Sequence, residues 1–171
     1  MKSTTAKIII STVGTSLLTN QIQRETEPVW FKELSDHANL TLNQIPESVK
    51  IILEILKSRA SQKLEQSSIT QIRRASAELN GIYGIYDNDI SQGKQDLHYL
   101  IATDTAQGTI TAEIVRDHLL SQGLSASMYT PSGLSTANTS AFSDGINQLI
   151  IWLREDLSLI HISEPTRRTP I

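Results

Sequence analysis

Two short polar stretches hold the side chains best suited to chemistry. In "KIIISTVGTSLLTN" (residues 7–20) an apolar run gives way to Thr12, Gly14, Thr15 and Ser16, and in "DLHYLIATDTAQG" (residues 96–108) another gives way to Thr103, Asp104 and Thr105. A glycine loop that leads into a helix leaves backbone N–H groups unpaired and faces the positive end of the helix dipole, which suits a phosphate or another small anion. Hydroxyls on Thr12, Thr15 and Ser16 would add donors to phosphate oxygens or contact a ribose hydroxyl. Asp104 reads as a general base, as a ribose ligand, or as an acidic residue at a helix entrance, where the dipole favours it in any case. The spacing matches neither G-x-G-x-x-G nor the P-loop, which needs a Lys before its Ser/Thr. A helix cap at Thr15 or Ser16, with Gly14 serving the turn, explains the first loop equally well.

Other chemistry is excluded or weakly supported. The chain has no cysteine, which removes disulfides, thiolate zinc sites and cysteine nucleophiles and fits a cytoplasmic protein. His37, His98 and His118 lack metal-ligand spacing, and no metal or organic cofactor is expected. A formal net charge of -3 argues against an unspecific grip on nucleic acid. Arg73 and Arg74 read as a solvated helix face, Glu113 as a first-turn acid favoured by the dipole, and Trp30 and Trp152 as core or interface. The N-terminal "MKSTTAKIII" has too short an apolar run for a signal peptide or a membrane span.

The elements that must position these loops follow from periodicity. At 171 residues the chain suits one domain. Lys7–Ser11 and Tyr99–Ala102 read as strands buried on both faces, the signature of a parallel sheet, and "SASMYTPSGL" as a weaker third strand turned by Pro131 and Gly133. Residues 16–24 read as a helix start broken at Pro28. The segment 25–43 reads as irregular, with one short helix over Trp30–His37. Helical spacing marks a helix from Pro46 to about Gln62 and a second over Ser68–Leu79 that stops at Asn80-Gly81. "DNDISQGKQD" reads as a loop. A helix is expected over Thr111–Gln122 with Gly123 past its end, and another capped by Ser143 that carries Ile146, Leu149, Ile150 and Leu153. The expected class is α/β: a Rossmann-like parallel sheet with flanking helices. Ligands of such sheets sit outside the carboxyl ends of the strands, so residues 12–16 and 103–108 should share one rim.

The stretch "LSLIHISEPTR" (Leu157–Arg167) reads as the translation of a widely used transposase adapter from sequencing libraries, and the final "RTPI" as index bases. The alternative is a natural apolar tail built on Leu157, Leu159, Ile160 and Ile162. On the first reading the native domain covers residues 1–156 and is incomplete at its C-terminus, with residues 157–171 set aside.

"IISTVGTSLLTN" (Ile9–Asn20) resembles the first motif of CRISPR-associated Rossmann fold (CARF) domains, in particular the group containing archaeal ring nucleases and related CRISPR-associated proteins. "RRASAELNGI" (Arg73–Ile82), "YLIATDTAQGTITAEIVRDHL" (Tyr99–Leu119) and "FSDGINQLIIWL" (Phe142–Leu153) resemble that family's later blocks in the same order. The resemblance implies a cytoplasmic homodimer in type III CRISPR antiviral defence. It would bind cyclic oligoadenylate, most commonly cyclic tetra-adenylate, across a two-fold groove. It also implies metal-independent ring cleavage in the parent protein, with a ribose 2′-OH placed in line with the neighbouring phosphate. By this alignment Ser16 contacts the ribose and positions it for catalysis, Thr12, Gly14 and Thr15 form the phosphate-contacting loop, and Thr103, Asp104 and Thr105 form the second rim loop. The family's Gly-Gly-x-Lys loop has no counterpart here, because the chain runs into the adapter-like segment; a central strand is expected to be lost with it. The alternative is the sensor domain of a CARF transcription factor or CARF-linked ribonuclease whose output domain is missing. Neither reading expects membrane insertion or direct DNA contact by this chain. A dinucleotide oxidoreductase is disfavoured by the absent G-x-G-x-x-G.

Overall fold

The computed structural model describes residues 5–133 and 139–162. Three parallel strands, β1 (Ile8–Thr12), β2 (Leu97–Ile101) and β3 (Ser125–Tyr129), form one sheet in the order β1-β2-β3. Register pairs Thr12 with Ile101 and Ile101 with Tyr129, so the three strands end level with one another. The mixed α/β architecture with a parallel sheet is the expected Rossmann-like class.

Helices α1 (Ser16–Thr19), α2 (Pro28–Asp36), α3 (Glu47–Gln66), α4 (Ile69–Ala75) and α5 (Ala77–Ile85) fill the long connection from β1 to β2. The crossover helix α6 (Ala106–Ser121) then joins β2 to β3, and α7 (Thr139–Ile162) follows. The spacing read in α3 places Val49, Ile52, Leu53 and Leu56 in the core, where Leu53 and Leu56 are fully buried. Burying a leucine completely contributes roughly 1.5–3 kcal/mol relative to leaving it exposed. Leu17 and Leu18 of α1 and Ile110, Ile114, Val115 and Leu119 of α6 join the same cluster. Two ion pairs tie α3 to its neighbours: Lys57 Nζ meets Glu113 Oε2 of α6 at 2.9 Å, and Arg59 grips Glu27, just before α2, with Nη1 and Nη2 at 2.6 and 2.9 Å while lying over Trp30. Glu113 therefore joins α6 to α3 in addition to any dipole effect.

The opposite sheet face is covered by Trp152 of α7, which stacks on Tyr129 at 4.5 Å between centroids and meets Tyr99 edge-on at 5.3 Å. Ile8 and Ile10 on that face remain exposed, so β1 is not buried on both faces as its run of isoleucines suggests: Trp152 packs against Tyr99 and Tyr129 of the neighbouring strands.

Several boundaries differ from the sequence reading, each for a local reason. Pro28 does not break a helix; it opens α2, because the first turn of a helix has no use for the N–H that proline lacks. The expected single helix over Ser68–Leu79 is two helices. Ser76 adopts an extended backbone and its hydroxyl accepts the Leu79 N–H, so a cap interrupts propagation. Asn80 and Gly81 lie inside α5, and the left-handed residues that end it are Asp87 and Asn88, at φ of 49° and 69°. A 3-10 turn over Ile90–Gly93 sits within the expected loop. Helix α6 starts five residues earlier than Thr111, and α7 starts at Thr139, so Ser143 is interior to it. The sequence-derived boundary at Asp156 falls within α7, and residues 163–171 lie outside the described ones.

Candidate functional site

Parallel pairing of β1 with β2 brings the two polar loops together at the carboxyl ends of adjacent strands. Neighbouring strands lie about 5 Å apart, and the Val13 N–H donates to the Ile101 carbonyl at 2.8 Å, so the loops leave the sheet side by side. A third segment closes the rim from β3: the Gly133 N–H donates to Asp104 Oδ2 at 3.2 Å, with Gly133 itself in the left-handed region at φ 89°.

The two loops differ in how their polar groups are used. In the second, Thr105 is buried and caps α6, its hydroxyl accepting the Gly108 N–H at 3.0 Å. The Thr103 and Thr105 hydroxyls lie 2.9 Å apart, and Thr109 reaches back to the Thr103 carbonyl. The Ala106 N–H donates to the Leu40 carbonyl at 2.8 Å. A Cβ on Gly108 would lie 2.2 Å from Thr103 Oγ1 and 2.9 Å from Thr105 Oγ1, so glycine is what lets the helix turn close on its own entrance. Thr105 is thus committed to the fold, while Thr103 and Asp104 stay half-buried at the rim.

The first loop leaves more of its donors unused. Thr12, Gly14 and Ser16 are exposed and Thr15 is half-buried. The Thr12, Thr15 and Ser16 hydroxyls, and the N–H groups of Thr15, Ser16 and Leu17, have no acceptor among the described residues. Leu17 and Leu18 anchor α1 in the core, fixing the orientation of these groups. The Gly14 N–H is the exception: it donates to Glu78 Oε1 at 2.8 Å. Glu78 had no signal in the sequence beyond its place in the first turn of α5, since its partner lies 64 residues away.

The remaining candidates lie elsewhere. His98 sits at the foot of β2 and His118 near the end of α6, where its Nε2 lies 3.0 Å from the Tyr83 hydroxyl. Because α6 runs back against the strand direction, His118 lines a cavity of about 490 Å³ at the end of the molecule opposite the rim, with Leu64, Ile72 and Asp117. Its pKa is pushed down by burial, as is that of His98, where the Ser125 carbonyl and the Asp96 charge work in the other direction. His37 bonds locally to the Glu33 carbonyl. Arg73 is not simply solvated: it donates to Asn80 Oδ1 and Asn88 Oδ1, tying α4 to α5 and to the turn that follows it. Among the described residues no group of three or more His, Asp and Glu is placed to hold a metal ion, and no helix is long and apolar enough to cross a membrane.

A family model described as "CRISPR-associated protein (Cas_APE2256)" matches residues 73–165, more than half of the chain. The matched stretch contains Glu78 and the Thr103–Thr105 loop and runs through α7.

Proposed function

From the premise that the chain belongs to the CRISPR-associated protein family Cas_APE2256, with a role in CRISPR defence, we propose that it binds cyclic oligoadenylate at the carboxyl rim of its sheet. The observation that carries this reading is the first loop, where three hydroxyls and three adjacent N–H groups have no acceptor among the described residues. Phosphates would lie against the Thr12–Ser16 loop and riboses toward Thr103 and Asp104, with Thr105 shaping that second loop. A cyclic ligand with internal symmetry matches a second copy of the rim, hence a homodimer with one ring across its two-fold axis.

If the ring is cut, the ribose 2′-oxygen attacks the adjacent phosphorus and the 5′-oxygen leaves, taking up the proton that the 2′-hydroxyl releases. The products are a 2′,3′-cyclic phosphate and a free 5′-hydroxyl. Ser16 would hold the 2′-oxygen in line, and the loop N–H groups would stabilise the charge that grows on the phosphate.

The test is titration of labelled cyclic tetra-adenylate into the 171-residue chain, with chromatography of the products. Micromolar binding supports the reading, and linear product assigns ring cleavage. Binding without linear product leaves a sensor. No binding overturns the ligand assignment.

A further inference from the structure

We propose that Glu78 is a built-in counter-ligand of the first rim loop: its carboxylate occupies the Gly14 N–H and is displaced when a phosphate comes to that loop, so that Glu78 sets the affinity of the site for anions. The proposal rests on the reading above that the loop receives phosphate. Glu78 Oε1 accepts the Gly14 N–H at 2.8 Å, and Oε2 accepts the Ser76 hydroxyl at 2.8 Å. Ser76 is buried and caps α5 through the Leu79 N–H, so the carboxylate is held against the loop from a fixed base. A first-turn acid is favoured by the helix dipole, which accounts for an acid at position 78. It does not account for the reach to a backbone donor 64 residues away.

Charge distinguishes a counter-ligand from a strut. No Lys, Arg or His forms an ion pair with Glu78 among the described residues, so its negative charge at the rim is balanced by hydrogen-bond donors alone. The Gly14 N–H is a donor that an incoming phosphate oxygen would use, and two anions at one N–H repel each other. Glu78 is half-buried and Gly14 exposed, which leaves the side chain room to turn away. The loop thereby keeps one donor satisfied while empty and opposes weakly bound anions. A ligand with several phosphates, which also engages the free N–H and hydroxyl groups of Thr15 and Ser16, has the additional contacts needed to displace the carboxylate.

Two probes on the 171-residue chain test this in the wild type, Glu78→Gln and Glu78→Ala: inorganic phosphate, followed by the Gly14 amide resonance in NMR, and cyclic tetra-adenylate, followed by calorimetry. Glu78→Gln keeps an oxygen acceptor for Gly14 and removes the charge, so it decides the matter even where Glu78→Ala unfolds. The expected result is phosphate binding about three- to tenfold tighter in Glu78→Gln than in wild type, at low salt. If phosphate binds no tighter, the counter-ligand role is overturned, whatever the nucleotide does. If phosphate tightens while cyclic tetra-adenylate binds none of the three proteins, Glu78 keeps its role and the ligand reading falls. Equal nucleotide binding by all three, with unchanged phosphate affinity, overturns the role of Glu78 and leaves the ligand reading standing.

Discussion

The Tyr86 hydroxyl donates to Asp96 Oδ2 at 2.6 Å, and this buried bond ties together the end of the sheet opposite the rim. Asp96 Oδ1 accepts the Lys7 N–H at 2.7 Å just before β1; His98 Nε2 lies 3.0 Å from the same Tyr86 hydroxyl, and His98 Nδ1 lies 3.0 Å from the Ser125 carbonyl at the start of β3. One tyrosine from the end of α5 thus connects the feet of all three strands. Burial and the neighbouring Asp96 carboxylate push its phenol pKa well above the ordinary tyrosine value, so the hydroxyl keeps its proton.

Tyr86→Phe should destabilise the fold by about 1–3 kcal/mol, because it leaves the buried Asp96 Oδ2 without its donor and the His98 ring nitrogen without its hydroxyl partner while filling nearly the same volume. Equilibrium denaturation in urea measures this. A loss below about 0.5 kcal/mol, the range of ordinary surface substitutions, would show that water or a rearranged partner replaces the hydroxyl.

Stability should fall as the pH drops below about 6.5, with His118 the main histidine responsible. Burial lowers the pKa of His118 below the ordinary histidine value with no opposing effect, whereas for His98 the Ser125 carbonyl and the Asp96 charge offset part of the burial. An unfolded chain therefore takes up protons in this range that the folded one resists; stability is complete above 6.5 and declines through more acid pH. His118→Gln retains a hydrogen-bond partner for Tyr83. Its unfolding free energy, measured from pH 8 to pH 5, should decline less steeply than that of the wild type, and an equal slope would remove His118 from the account.

Gly108→Ala should destabilise the protein by about 1–3 kcal/mol, since overpacking of this kind forces neighbours apart. The atom it meets is Thr103 Oγ1 at 2.2 Å, together with the Thr103 carbonyl at 3.0 Å, so the second rim loop must shift. Thr105→Ala removes the cap and the contact with the Thr103 hydroxyl without forcing neighbours apart, and should cost about 1 kcal/mol. Thermal melts of the two variants order these effects, and an innocuous Gly108→Ala would contradict the tight closure of α6 on its entrance loop.

Ser16→Ala should slow any ring opening by the protein more than it weakens ligand binding, by about 10-fold or more in rate, because a positioning contact acts chiefly on the transition state. Single-turnover rates and calorimetric affinities of the same variant separate the two. Equal rates in mutant and wild type would take the positioning role from Ser16.

The sequence by itself determined the class of fold and the location of the rim. Three adjacent isoleucines before a Thr-Gly loop, and "HYLIATDT" repeating that design, are enough for two parallel strands with their loops on one side, although the cover over both faces that such a run suggests is incomplete in β1, where Ile8 and Ile10 stay exposed. Thr12, Gly14, Thr15, Ser16, Thr103 and Asp104 were legible for the same reason: loops at strand ends carry their polar groups in a local pattern. The tertiary structure decided how those groups are used. Thr105 is spent on a cap, Gly14 is held by Glu78, and Tyr86, Asp96 and His98 form one buried network. The Gly14 and Tyr86 contacts join residues that packing brings together, and hydrophobic periodicity reports which face of an element is buried without reporting what it is buried against. Even the break at Ser76, a local event, turned on whether a hydroxyl capped α5 or helix α4 continued through it, and a chain with serine followed by good helix formers is compatible with either outcome.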